Sequence, residues 1–131
     1  EQKKEINPII SESKLIQIAI QPEDRQLHRD VIAKRFNLMI DAGLVKEVES
    51  LLKYKGMSRN SQSMKSVGYR QVCEFLEGEY GLDDMIDKAI NSTRQLAKRQ
   101  MTWIKSWEDL ILLEKNSSLP TSIKDIILNN I

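Results

Sequence analysis

Leu15-Ile16-Gln17-Ile18-Ala19-Ile20 is a short, almost unbroken apolar run that ends at Pro22. Its length and isoleucine content predict a mostly buried strand. Only Leu110-Ile111-Leu112-Leu113 has the same character. Two strands are too few for an independent sheet, so their neighbours are expected outside this chain. Between them the apolar positions recur at helical spacing. Pro22, Glu23 and Asp24 suit the first turn of a helix that should run to about Asp41 and stop at Gly43. A second helix is predicted from Leu44 to about Tyr54, closed by Gly56. Met57 to Met64, MSRNSQSM, is polar and reads as loop. A third, short helix spans about Gly68 to Leu76 and stops at Gly78. A long fourth one begins near Leu82, with Asp83 and Asp84 in its first turn, and reaches about Trp107. Asn116 to Pro120 reads as a turn, after which Ser122 caps a last helix with Asp125 as its capping-box partner. The expected organisation is a linker or disordered lead-in at 1–13, a strand, four helices and a strand over 14–115, and a turn and helix at 116–131.

At 131 residues and 40% hydrophobic, the chain can bury an ordinary core as one domain. One cysteine, Cys73, excludes an internal disulfide, and with His28 as the single histidine a Cys/His zinc site is excluded in practice. No apolar run approaches the roughly 18 residues of a membrane span, and the opening EQKKE is no signal peptide. The expected protein is soluble, in a reducing compartment and mainly helical. It begins at Glu1 rather than Met, which reads as a piece of a longer protein.

Lys and Arg number 20 against 19 acids, but the balance hides segregation. Lys53, Lys55, Arg59, Lys65 and Arg70 occupy an acid-free stretch from 53 to 73. Lys88, Arg94, Lys98, Arg99 and Lys105 occupy another, from 88 to 107. Such stretches are either footprints of phosphate contact or solvated faces. Helical geometry sharpens the second. At about 100° per residue, Met85, Ile86, Ala89, Ile90, Thr93, Leu96, Ala97, Met101 and Ile104 share one broad face. Arg94, Lys98 and Lys105 line the other side, joined by Asn91, Gln95, Arg99 and Thr102. Cations of this kind fix phosphates, and amides and hydroxyls bond sugars or base edges.

The first helix carries an oddity. Leu27, Val31, Ile32, Phe36, Leu38 and Met39 define an apolar arc with Arg35 in its middle and His28 beside it. A guanidinium there needs an anion or acceptors. Two readings stand: Arg35 meets carboxylates or carbonyls of a domain it packs against, or it points into a cleft and grips an anionic substrate group bidentately. His28 reads as a satisfied, partly buried side chain and Cys73 as a core filler.

RFNLMIDAGLVKEVESLL (35–52), SVGYRQ (66–71) and TRQLAKRQMTW (93–103) stand in the order and spacing of bacterial tRNA dimethylallyltransferases, also called tRNA isopentenyltransferases. The resemblance covers about residues 14–113 and places the chain in the C-terminal part of such an enzyme. It implies a mainly α fragment of an α/β P-loop-kinase-like fold, whose two short strands complete a parallel sheet in the intact enzyme. It implies transfer of a dimethylallyl group from dimethylallyl diphosphate to N6 of the adenosine 3′ of the anticodon, with the tRNA anticodon arm as partner. The family's P-loop, its Mg²⁺ and its general base belong to the N-terminal part. No GxxxxGK[ST] occurs in these residues, so the fragment alone is expected to be inactive and to ligand no metal. By matching position Arg35 resembles the diphosphate-facing arginine, the catalytic residue assigned to this chain. Lys65, Ser66, Val67, Gly68, Tyr69 and Arg70, with Lys98, Arg99, Gln100, Met101, Thr102, Trp103, Ile104 and Lys105, match the segments that touch tRNA, and Arg94 on the same basic stripe is expected to join them. Tyr69 stacks near the target base or packs in the core beside Phe75. The family also implies a cytoplasmic monomer without a membrane partner. The competing readings are a stand-alone helical nucleic-acid-binding module without catalysis, and a structural domain whose basic faces meet acidic protein.

Overall fold

The computed structural model describes residues 16–22, 24–114 and 119–130. These fall into two compact units: one holds the two strands and the last helix, and the other spans Asp24–Trp103.

In the first unit, β1 (Gln17–Gln21) pairs in parallel with β2 (Leu110–Glu114), Gln17 opposite Leu110 and Gln21 opposite Glu114. Both predicted strands therefore exist, shifted by a residue or two, and among the described residues they pair only with each other. The expectation of buried strands is corrected: Ile20 is 48% and Leu112 36% exposed. A two-stranded ribbon leaves much of its apolar surface open. The last helix, α5 (Leu119–Asn130), begins before Ser122, so Ser122 lies inside the helix instead of capping it. Pro120 fits that earlier start, since a proline ring is pre-set for the first helical turn. The lead-in 1–13 and residues 116–118 of the expected turn lie outside the described residues.

The second unit is helical. α1 (Arg25–Asp41) starts later than the Pro22 reading expects, because Asp24 is its N-cap and accepts from the backbone N–H of Gln26 at 2.6 Å and Leu27 at 3.0 Å. Gly43, at φ 99°, makes the left-handed turn into α2 (Leu44–Leu52). Past Leu52 the expected helix decays into single turns, Lys53 N–H to Ser50 and Tyr54 N–H to Leu51. Within the polar MSRNSQSM stretch the chain forms a 3-10 turn, Gln62–Lys65, that drives Met64 into the core at 1% exposure. α3 (Tyr69–Leu76) and α4 (Leu82–Ile104) follow, and a single turn from Ile104 to Trp107 replaces the last residues predicted for α4.

One core closes this unit. Phe36, Leu44, Val48, Met64, Val72, Cys73, Met85, Ala89 and Ile90 are buried together, joined by partly buried Ala33, Met39, Ile40, Tyr69, Phe75 and Ile86. At roughly 25 cal/mol per Å² of apolar surface, such residues supply the main driving force. Cys73 is buried and its thiol is pushed up, chiefly by desolvation, which fits the core-filler reading. No helix of the described residues is long and apolar enough to cross a membrane.

Candidate nucleic-acid interface

The sequence SVGYRQ builds a turn with a locked geometry. Gly68 has φ 96° and ψ −64°, a conformation costly for any residue with a Cβ. A Cβ there would also sit 3.7 Å from the Phe36 ring of α1, so this turn packs on the residue next to Arg35. The Gly68 N–H donates to Gln71 Oε1 at 2.9 Å, and Gln71 Nε2 donates to Ser92 Oγ on α4 at 3.3 Å. Ser66 Oγ donates back to the Ser63 carbonyl at 2.7 Å, which closes the approach to the turn. Lys65, Ser66 and Arg70 are exposed, Val67 and Tyr69 half-buried and Gly68 buried. The 66–70 segment is thus a rigid, cation-bearing turn held against α1 and α4.

Tyr69 is half-buried. Its ring lies on the core, and its hydroxyl donates to Glu47 of α2, the main reason its pKa is raised. Arg70 Nε lies 3.8 Å from Glu74, one turn on in α3. Arg59 is engaged by two acids, Glu77 and Glu79. Lys53 stands 3.6 Å from Glu49. So three of the five cations in the 53–73 stretch, Lys53, Arg59 and Arg70, have acid partners that lie outside it in sequence.

On α4 the apolar face splits lengthwise. Met85, Ala89 and Ile90 are buried, while Leu96 is 37% exposed and residues from Gln95 onward are largely open. Lys98, Arg99, Gln100, Thr102 and Trp103 are exposed and Met101 half-buried. Among the described residues no ion pair involves Lys98 or Arg99. Lys88, at the other end, sits over the Tyr80 ring at 5.1 Å. Arg94 is half-buried, and its Nη2 donates to the Arg29 carbonyl of α1 at 3.4 Å. In the other unit, Ile104 is half-buried and Lys105 exposed.

Arg35 is corrected in its surroundings. The α1 arc divides into a buried side (Ala33, Phe36, Met39, Ile40) and an open one, where Leu27, Val31 and Leu38 are 62%, 52% and 57% exposed. Arg35 is itself exposed, so no desolvation within this chain presses an anion upon it. Among the described residues it meets no carboxylate. His28 is half-buried, as the sequence reading has it. Sequence reasoning missed Glu47 as the partner of Tyr69 and Gln71 with Ser92 as the tie between turn and helix. A glutamine three residues after the helix-starting glycine was the available signal for the latter.

Over residues 1–107 the sequence matches the family of IPP transferases. The chain belongs to that family. It resembles the full-length tRNA isopentenylpyrophosphate transferase of Bacillus halodurans with a TM-score of 0.80 and 25% identity, over 88% of this chain and 38% of that one. It resembles the tRNA delta(2)-isopentenylpyrophosphate transferase of Staphylococcus epidermidis with a TM-score of 0.72 and 30% identity, over 88% of this chain and 36% of that one. This family member thus spans little more than a third of the solved relatives' length, and the five helices and two parallel strands among its described residues match a fragment of their fold.

Proposed function

We propose that this chain is the C-terminal portion of a tRNA-modifying prenyltransferase, which moves a dimethylallyl group from dimethylallyl diphosphate to N6 of the adenosine 3′ of the anticodon. Membership of the IPP transferase family carries the reading. Within the chain, support comes from the exposed outer half of α4, where Lys98 and Arg99 have no acid partner among the described residues and stand beside Gln95, Gln100 and Thr102. Such cations hold backbone phosphates, and the neighbouring amides and hydroxyl bond sugar and base edges. The Lys65–Arg70 turn adds a second set of contacts.

The reaction forms an N6–C1 bond and breaks C1–O, with the diphosphate leaving and the N6 proton going to a base outside this chain. Arg35 contributes a permanent positive charge for the departing diphosphate, a stabilisation that grows as the C–O bond breaks. Its open position on α1 leaves the guanidinium free to meet such an anion. Mg²⁺ in the intact enzyme, with ligands outside this chain, belongs to the same proposal. The P-loop, the cytoplasmic location and the monomeric state belong to the same proposal.

The test is to express the intact enzyme and assay prenyl transfer to anticodon stem-loops carrying adenosine or guanosine at the target position. Transfer to adenosine alone is expected. Tight binding of both stem-loops without transfer to either would instead mark a nucleic-acid-binding module.

A further inference from the structure

Gln71 is a polar side chain left 2% exposed in the core of the helical unit. A buried amide persists only where both of its ends are bonded. Here Oε1 accepts from the Gly68 N–H at 2.9 Å, and Nε2 donates to Ser92 Oγ at 3.3 Å. The second reaches a different helix. Ser92 shares its face of α4 with Leu96 and Arg99, four and seven residues on, both exposed. The glycine turn is therefore fastened to the side of α4 that carries Arg99.

We infer that Gln71 is a positioning residue for RNA binding: it clamps the Lys65–Arg70 turn to the Arg99 face of α4, so that cations of both segments meet a nucleic-acid backbone at a fixed spacing. The inference rests on the tRNA-contacting role proposed above. Phosphates on a folded RNA have set separations, and two cationic segments that slide past each other lose part of their joint contact. Contacts built on rigid elements need support from locked neighbours, which this amide supplies.

The test uses steady-state transfer by the intact enzyme to an anticodon stem-loop with adenosine at the target position. Gln71→Met keeps length and removes the amide, Ser92→Ala removes the acceptor, and Ser92→Thr keeps a hydroxyl. Gln71→Met and Ser92→Ala are expected to raise KM for the stem-loop about five- to tenfold, the effect of one hydrogen bond to a positioning group. The turnover number and KM for dimethylallyl diphosphate should stay within about twofold, the pattern of lost binding rather than lost chemistry. Ser92→Thr should restore wild-type KM, and the double variant should be no worse than Gln71→Met alone, because both break one link. Unchanged stem-loop KM, independent addition of the two effects, or a fall confined to turnover would overturn the assignment. If Gln71→Met does not fold, the Ser92→Ala and Ser92→Thr pair decides by itself, since Ser92 is only half-buried. A wild-type enzyme that transfers nothing to RNA would remove the underlying reading. Transfer with indifferent variants would remove only Gln71.

Discussion

Arg94 of α4 donates from Nη2 to the main-chain carbonyl of Arg29 in α1, across 3.4 Å, and its Nε is buried with no hydrogen-bond partner among the described residues. One cation of the basic stripe is thus turned toward the protein, while Lys98, one turn on, is exposed. The two residues should separate in experiment. Lys98→Ala in the intact enzyme should lower the slope of log affinity against log salt for an anticodon stem-loop by about 0.9, the value for one phosphate contact. Arg94→Ala should lower unfolding free energy by about 1 kcal/mol through the lost hydrogen bond and packed stem. An unchanged slope in Lys98→Ala would take that residue out of the interface.

Arg59 makes the complementary case. It lies among basic residues in sequence, yet its guanidinium is bonded to Glu77 and Glu79, and the two carboxylates raise its pKa. It closes the loop after α2 onto the end of α3. Arg59→Ala should leave the salt slope of RNA binding unchanged and lower the thermal midpoint of the intact enzyme. The loss should shrink at high salt, where exposed ion pairs are screened.

These two arginines show what the sequence could and could not convey. Helix positions follow from apolar spacing and from glycine stops, and the structure reproduces them to within a few residues because those signals act locally. Ion partners are not local: Glu77 and Glu79 lie 18 and 20 residues beyond Arg59, so a count of charges by segment saw a free cation where folding makes a pair. Arg35 misled for a related reason. A helical wheel shows that Leu27, Val31 and Leu38 are apolar, but not that this chain leaves them uncovered. Met64 was one of two methionines in a polar stretch, too weak a signal to predict a core position. The TRQLAKRQ stripe was legible because Lys98 and Arg99 meet no acid among the described residues.

Gly68 offers a test of the turn. At φ 96° and ψ −64°, a residue with a Cβ is strained even though the nearest side-chain atom, on Phe36, stands at ordinary contact distance. Gly68→Ala should destabilise the intact enzyme by about 1–3 kcal/mol in urea unfolding. A loss near zero would mean that the turn relaxes elsewhere and is not held by its neighbours.

Tyr80 and Tyr69 give the fold an alkaline limit. The Tyr80 hydroxyl donates to Glu74, with the Gln71 carbonyl also within reach at 3.1 Å, and its pKa is raised strongly by burial first and the Glu74 bond second. Tyr69 is raised by its bond to Glu47. Each phenol is favoured in its protonated form when folded. Its stabilisation is fully present below the unfolded value of about 10 and is lost as pH climbs from there through the folded value. Unfolding free energy should therefore fall above about pH 10, and Tyr80→Phe should flatten that fall while lowering stability at pH 8. A Tyr80→Phe profile parallel to wild type would place the alkaline loss elsewhere.

Arg35 carries the sharpest expectation about chemistry. It is exposed on α1, and no carboxylate among the described residues engages it, so its removal takes no ion pair from this chain. Arg35→Ala should thus change unfolding free energy by less than about 0.5 kcal/mol, as for an ordinary surface site. If it faces the leaving diphosphate, the loss should appear in turnover, by about a hundredfold or more, with stem-loop affinity nearly intact. Arg35→Lys should recover only part of the rate, because an ammonium keeps the charge but not the two-pronged geometry of a guanidinium. A variant that transfers at the wild-type rate, or one whose loss is confined to the thermal midpoint, would show that the guanidinium serves the packing of α1 against the remainder of the enzyme and not the departing anion.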